Sequence, residues 1–244
     1  MRQFKFFLTA LSFMTRVVPG AAVSREELSA AAVYFPVTGA ALGALLVLPP
    51  LLGLGAGHPL IQAWVYAVLS AFLTRALHLD GLADVLDATG SGKQGDEFHA
   101  VLKDSRLGAF GALGLVLALA GEIVLAAACF EKRLFGLLFF APLHGRCLPI
   151  FLSRLAPAHP KASLGKMFAG VPVCRGLCTA AGFSLIAGLL CMPATHLLFS
   201  FVLSGLLVLF TVRLTGHAGG YNGDFLGFLI CGGELCVLAA VLLT

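Results

Sequence analysis

Charge is what this sequence has least of. Lys, Arg, Asp and Glu make up 11% of its 244 residues, and the acidic ones number 12. Soluble domains carry roughly a quarter charged residues, so a water-exposed globule is excluded. The seven cysteines are odd in number and form no C-x-x-C, which removes a zinc site and a disulfide framework. No Walker loop, G-x-S-x-G or H-E-x-x-H occurs, so P-loop nucleotide hydrolysis, serine hydrolysis and zincin chemistry lack their usual groups. There is no convincing internal repeat of the kind transporters build on. A net charge of +4 reflects membrane anchoring by scattered Lys and Arg, with no nucleic acid implied.

What is abundant is apolar length. Hydrophobic residues make up 59% of the chain, in recurring runs of about 20, each long enough to cross a hydrocarbon core as a helix. The reading is all-α: a polytopic helical membrane protein, one integral domain over 1–244. About seven crossings are expected, near 29–56, 60–79, 107–129, 134–155, 176–192, 195–213 and 225–244. Pro36 and the pair Pro49-Pro50 predict a kink or an early stop in the first. The opening "MRQFKFFLTALSFMTRVVPG" has too short an apolar core for a signal peptide and no clear cleavage site. It reads as an interfacial amphipathic helix, Phe and Leu in lipid, Lys5 and Arg16 at headgroups.

Lys and Arg set the orientation. They gather in the N-terminal segment (Arg2, Lys5, Arg16, Arg25), in the 80–106 loop (Lys93, Lys103, Arg106), and in the 156–175 loop (Lys161, Lys166, Arg175). The intervening turns near 57–59 and 193–195 have none. The N-terminus is therefore expected in the cytoplasm, and the loops at 80–106, 156–175 and 214–224 with it. Asp80, Asp84, Asp87, Asp96, Glu97, Asp104 and Asp224 all fall on that side.

"HLDGLADVLD", 78–87, packs three of the scarce acids into eight positions. Asp80, Asp84 and Asp87 at i, i+4 and i+7 lie within roughly 60° of one helix face, spread along about 10 Å. Such a column repels itself unless basic side chains or divalent cations neutralise it. Arg75 is near in sequence but cannot offset three carboxylates. Hard oxygens on one face suit Mg²⁺ or Mn²⁺, and acids beside a span are functional candidates by default. The bland alternative is a helix end whose charges merely face water. His78 projects from the far side of the helix, which argues against its sharing a metal site.

In "LKDSRLGAFGALG", 102–114, Asp104 adds a carboxylate, and Lys103, Ser105 and Arg106 add phosphate donors, unless the two cations are only membrane anchors. Gly108, Gly111 and Gly114 read as a helix-packing stripe. In "GGYNGDFLGFLICGGEL", 219–235, glycines before Asp224 permit a tight turn or close ligand approach. Glu234, two turns into the last span, needs a partner; Arg146, nearly mid-span in "HGRCLPIF" and therefore facing the bundle interior, or a bound cation would serve. Glu122 reads as a buried pairing residue. His58, His159, His196 and His217 read as loop or interfacial residues.

"HLDGLADVLDATG", "KDSRLGAFG" and "GGYNGDFLG…GE", with "LSFMTRVVPG" and "YFPVTGAALGALL" before them, come in the order and approximate spacing of the cobalamin synthase family. The chain resembles that family, the adenosylcobinamide-GDP ribazoletransferases, over essentially its whole length. The resemblance implies a bacterial inner-membrane enzyme with a cytoplasmic site. It would join α-ribazole, or its 5′-phosphate, to adenosylcobinamide-GDP, releasing GMP with Mg²⁺, two ions being possible. It carries over Asp80, Asp84, Asp87, Asp104, Ser105, Arg106, Asp224 and Glu234. Three positions depart from it: Asn222 stands where Thr is usual, Cys231 where a second Glu is usual, and Ala88 where Gly is common.

On this reading Asp80, Asp84, Asp87, Asp104, Asp224 and Glu234 are the candidate metal ligands. Asp87, with Asp84, Asp104 and Arg106, carries the catalysis, Asp87 accepting the proton of the attacking ribose hydroxyl. Lys103, Ser105, Asn222, Asp224 and Arg146 contact substrate. A membrane phosphotransferase of CDP-alcohol type ranks second, because Asp80 is followed by "GLAD" without the Arg of that pattern. A cation transporter using Glu122, Arg146 and Glu234 ranks third, since most acids lie at one surface. The lipid bilayer is the expected surrounding, and a homo-oligomer is compatible with the sequence.

Overall fold

A computed structural model describes residues 2–20, 24–162 and 173–244. Lys166, counted above toward orientation, lies outside the described residues. The described residues are helical throughout, apart from turns and one isolated bridge between Ala158 and Tyr221. In hydrocarbon this is forced, since only intrahelical pairing satisfies the backbone of an isolated crossing segment.

The first helix, α1 (Arg2–Met14), precedes α2 (Arg25–Ala31), which opens on a capping box at Ser24 and Glu27. A single turn of 3₁₀ helix at Ala32–Tyr34 joins α2 to α3 (Phe35–Leu51), so that Glu26–Leu51 is one apolar rod. Pro49 and Pro50 fall in its last turn, where the stop was expected. Then come α4 (Pro59–Thr74), α5 (Leu77–Gly90) and the short α6 (Gly95–Leu102). The long α7 (Ala109–Glu131) follows, then α8 (Phe135–Gly145) and α9 (Leu148–Leu155), which together make one span. The chain ends with α10 (Val173–Cys191), α11 (Ala194–Ala218) and α12 (Gly223–Leu238), the last prolonged to Leu243 by 3₁₀ turns. Among the described residues five helices are long and apolar enough to cross a membrane, and α4 with α5 makes a sixth if the bent pair is one span. The expected fifth crossing is a shorter apolar helix, Gly176–Cys191.

The α8–α9 span is the core. Leu137, Leu138, Phe140, Ala141 and Leu143 are all buried, and α3 and α12 lie on either side of it. Small residues bring these rods together: a Cβ on Gly43 of α3 would stand 2.2 Å from the Phe139 carbonyl oxygen. By contrast α7 turns Leu113, Val116, Leu117 and Val124 outward, the surface a lipid-facing helix needs.

The second span was expected to run straight from 60 to 79 and carry the aspartates at its end. Instead the chain bends by 90° between α4 and α5, so the aspartates sit on a separate helix. Arg75 and Ala76 make the bend in the left-handed region, at φ 59° and 53°, a conformation costing a residue with a Cβ roughly 1–2 kcal/mol. The neighbouring α1 holds it. Arg75 Nη2 donates to the carbonyls of Ser12 and Phe13 at 2.9 and 2.8 Å, and the Arg16 N–H donates to the Leu73 carbonyl at 2.7 Å. Arg75 thus caps the end of α1 and is spent there, leaving the aspartate column without it.

Candidate active site

Helix α5, set at 90° to α4, is wedged between the starts of two spans. Its first half crosses α12, where a Cβ on Gly81 would lie 2.7 Å from the Asp224 carbonyl oxygen. Its second half lies on α7, with Gly111 beneath Ala83 and Asp87, and Gly114 beneath Leu86. The glycine stripe of α7 is therefore a packing surface, as its spacing predicted, and what it packs against is the aspartate helix.

The three aspartates keep their column but serve different neighbours. Asp87 receives the Gly108 and Gly111 N–H groups at 2.7 Å each, one on each carboxylate oxygen. It closes the N-terminus of α7, where unpaired donors and the helix dipole favour an anion. Asp80 is exposed at the other end, near Asp224. Asp84 lies between them, and the negative charges of Asp224, Asp80 and Asp87 all bear on it. Among the described residues Asp80, Asp84, Asp87 and Asp224 form no ion pair, so this concentration of charge has no basic counterweight. Asn222 caps α12, its Oδ1 accepting from the Asp224 and Phe225 N–H groups. Its Nδ2 donates to Asp224 Oδ2 at 2.6 Å and so aims that carboxylate.

Two clefts flank this surface. A narrow one of about 90 Å³ is edged by Asp80 and Asp224 and walled by Phe13, Met14, Phe35 and Leu226. A wider one of about 440 Å³ is lined by Asp87, Ser91, Asp104, Arg106 and the start of α7. In the wide cleft Arg106 grips Asp104 with Nε and Nη2, at 2.9 and 2.6 Å. That hydrogen-bonded pairing holds the Asp104 carboxyl down to about 2, so both partners stay charged throughout the physiological range. Arg106 remains 87% exposed, free to turn to another anion.

A family description, cobalamin-5-phosphate synthase, matches residues 6–242. The chain belongs to the cobalamin-5-phosphate synthase family. Membership makes it an enzyme of cobalamin biosynthesis, a transferase. It is 37% identical over 233 residues to the adenosylcobinamide-GDP ribazoletransferase of Nitratidesulfovibrio vulgaris strain DP4, covering 96% of this chain and 95% of that one. It is 34% identical to the protein of the same name from Syntrophobacter fumaroxidans, covering 91% and 92%. With the one from Escherichia coli K12 it shares 30%, over 98% and 99%. No solved structure gives a significant match.

In this cobalamin-5-phosphate synthase family member, Asp80, Asp84, Asp87, Asp104, Arg106 and Asp224 gather around α5, while Lys103 and Ser105 are exposed on the turn that bears Asp104. Arg146 and Glu234 go elsewhere. Arg146 is fully buried, its Nη1 2.6 Å from Glu234 Oε1, in a separate cavity of about 30 Å³ that Glu122 and His78 also line. The expected Arg146–Glu234 pairing is formed, and it faces the bundle interior.

As to a metal, the donors fit magnesium: uncompensated carboxylates on facing helices are the hard oxygens it takes. Among the described residues no three acidic, His or Cys side chains already converge as a ligand set.

Three histidines have surroundings that helix periodicity does not reveal. His78 is not remote from the acids: it is buried and lines the narrow cleft with Asp80 and Asp224. His159 lies in a loop, as expected, and His196 in the first turn of α11, and both are buried. His159 packs on His99 with the rings tilted by 31° and their centroids 3.7 Å apart, tying α6 to the loop before α10. No spacing in the sequence announces this pair, because it joins segments far apart along the chain.

Gly111→Ala tests the α5–α7 contact. Its Cβ would stand 2.3 Å from Asp87 Oδ2 and 2.9 Å from the Ala83 carbonyl oxygen. A destabilisation of about 1–3 kcal/mol is expected, with loss of activity, read as a lowered thermal midpoint in detergent.

Proposed function

We propose that this protein is an adenosylcobinamide-GDP ribazoletransferase, joining α-ribazole or its 5′-phosphate to adenosylcobinamide-GDP with release of GMP. The full-length match to proteins so named carries the reading. The uncompensated carboxylates between two clefts are the chemistry it requires. The distribution of Lys and Arg supports a site facing the cytoplasm of a bacterial inner membrane.

In this reading the donor's diphosphate occupies the wide cleft, where Arg106 exchanges Asp104 for a phosphate oxygen and Lys103 adds a second positive charge. The acceptor approaches from the narrow cleft. Its ribose hydroxyl attacks the phosphorus attached to cobinamide, the bond between that phosphorus and the bridging oxygen breaks, and GMP leaves. Asp84 and Asp224 would hold Mg²⁺, which takes one or two carboxylates together with substrate phosphates. When bound, the ion neutralises charge on the attacking and leaving oxygens.

Asp87 is the acceptor expected for the hydroxyl proton, but each of its oxygens already receives an N–H from the backbone of α7. Asp80 accepts no hydrogen bond from the described residues and edges the acceptor cleft, so the proton passes to Asp80. Asp87 then acts by fixing α5 against α7.

Purified protein in detergent, given Mg²⁺, adenosylcobinamide-GDP and α-ribazole, is expected to release GMP. EDTA should stop the release and excess Mg²⁺ restore it. Absence of GMP from the untreated protein would sink the proposal. Release that persists in EDTA would sink its magnesium component.

A further inference from the structure

The narrow cleft has apolar walls that the phosphoryl chemistry does not use. Beyond Asp80 and Asp224 its walls are apolar, and among the described residues neither Lys nor Arg lines it. The rings of Phe13 and Phe35 lie parallel within 10°, centroids 6.0 Å apart, one from the N-terminal helix and one from α3. Phe35 is buried and Phe13 half-buried, with Met14 and Leu226 closing the floor. One polar group is set into these walls. His78 is 5% exposed, and its Nε2 has no hydrogen-bond partner among the described residues. It stands between this cleft and the Arg146 cavity.

Among the described residues a diphosphate meets no counter-charge here, whereas Arg106 lines the wide cleft, so the donor is assigned to the wide cleft. The acceptor belongs in the narrow one. Ribazole is a nucleoside whose base is a flat fused heteroaromatic ring with apolar faces and one ring nitrogen free to accept. Such a ring calls for a parallel aromatic wall, little polarity and a single donor. Its sugar hydroxyl must emerge beside a carboxylate. The wall, the single nitrogen and the two carboxylates occur together only along this cleft among the described cavities.

We propose that the cleft walled by Phe13, Phe35 and Leu226 is the subsite for the base of the acceptor nucleoside. Phe13 sets specificity, and His78 Nε2 donates to the free ring nitrogen. This rests on the transferase reading and extends it. It also gives α1 a second purpose, since the helix that Arg75 ties to the α4–α5 bend brings Phe13 to the aspartates.

Two measurements test it. Equilibrium binding of α-ribazole to the detergent-solubilised full chain, without Mg²⁺ or donor, is expected to weaken about tenfold or more in Phe13→Ala. In turnover, KM for α-ribazole should rise by a similar factor while KM for adenosylcobinamide-GDP stays within about twofold. The imidazole riboside, lacking the fused ring, should lose little between wild type and variant. If Phe13→Ala fails to fold, Leu77→Trp at the exposed rim narrows the same cleft and should raise the same KM. Unchanged α-ribazole binding and KM in a folded variant overturns the subsite, as does a rise confined to the donor's KM or no α-ribazole binding by wild type. Wild type that binds α-ribazole but releases no GMP overturns the transferase reading and leaves the subsite standing.

Discussion

Asp84→Asn is expected to cut GMP release on the order of 10²–10³-fold while leaving the protein at least as stable as the wild type. The two halves of that expectation share one cause. Asp84 sits four residues after Asp80 and three before Asp87, and the charges of both, with that of Asp224 across the helix contact, bear on it. Neutralising it relieves like-charge repulsion worth a few tenths of a kcal/mol for an i, i+4 pair. A residue held only for structure would lower stability when altered. A residue held for an ion and a phosphate lowers turnover and spares the fold. GMP release and the thermal midpoint, measured without Mg²⁺ on the same preparations, separate the cases. A midpoint that falls together with activity would show that Asp84 is a structural group.

Glu234→Ala should have the opposite profile, destabilising the protein by about 3–5 kcal/mol. Its partner Arg146 is fully buried and donates from Nη1 to Glu234 at 2.6 Å and to the Pro142 carbonyl at 2.8 Å. Removing Glu234 strands a guanidinium within the span. Nothing nearby replaces it cleanly, because Glu122, the other carboxylate in the 30 Å³ cavity, has no ion pair with Arg146 among the described residues. The double change Arg146→Met with Glu234→Leu removes both charges and should recover most of the loss. Unfolding midpoints of the two single variants and the double variant form the cycle. Additivity of the two single effects would show that the pair is not coupled. Cys231 lines this same cavity, so an apolar residue stands beside a pair that is already balanced.

The chain's own order carried a good deal of this. Membrane insertion could be read from charge scarcity, since a bilayer penalises each charge wherever it falls along a span. The column of Asp80, Asp84 and Asp87 could be read because helix periodicity alone puts i, i+4 and i+7 together, and α5 is a helix as expected. The packing role of Gly108, Gly111 and Gly114 was legible for the same reason. The partner of Arg146 could be named because a mid-span charge must find an opposite one, and few exist.

The tertiary structure alone decided how those groups are used. The 90° bend at Arg75 and Ala76 is made by residues with no glycine-like preference for it, and α1 imposes it from some 60 residues away. That bend sets Asp80 beside Asp224 and Asp87 under the N-terminus of α7, so three chemically identical side chains have three environments. Local periodicity fixes which residues share a face, but hydrogen bonds and burial belong to whatever that face meets. Phe13, His78 and Asp224 meet only when distant segments fold together, so their cleft has no signature along the chain.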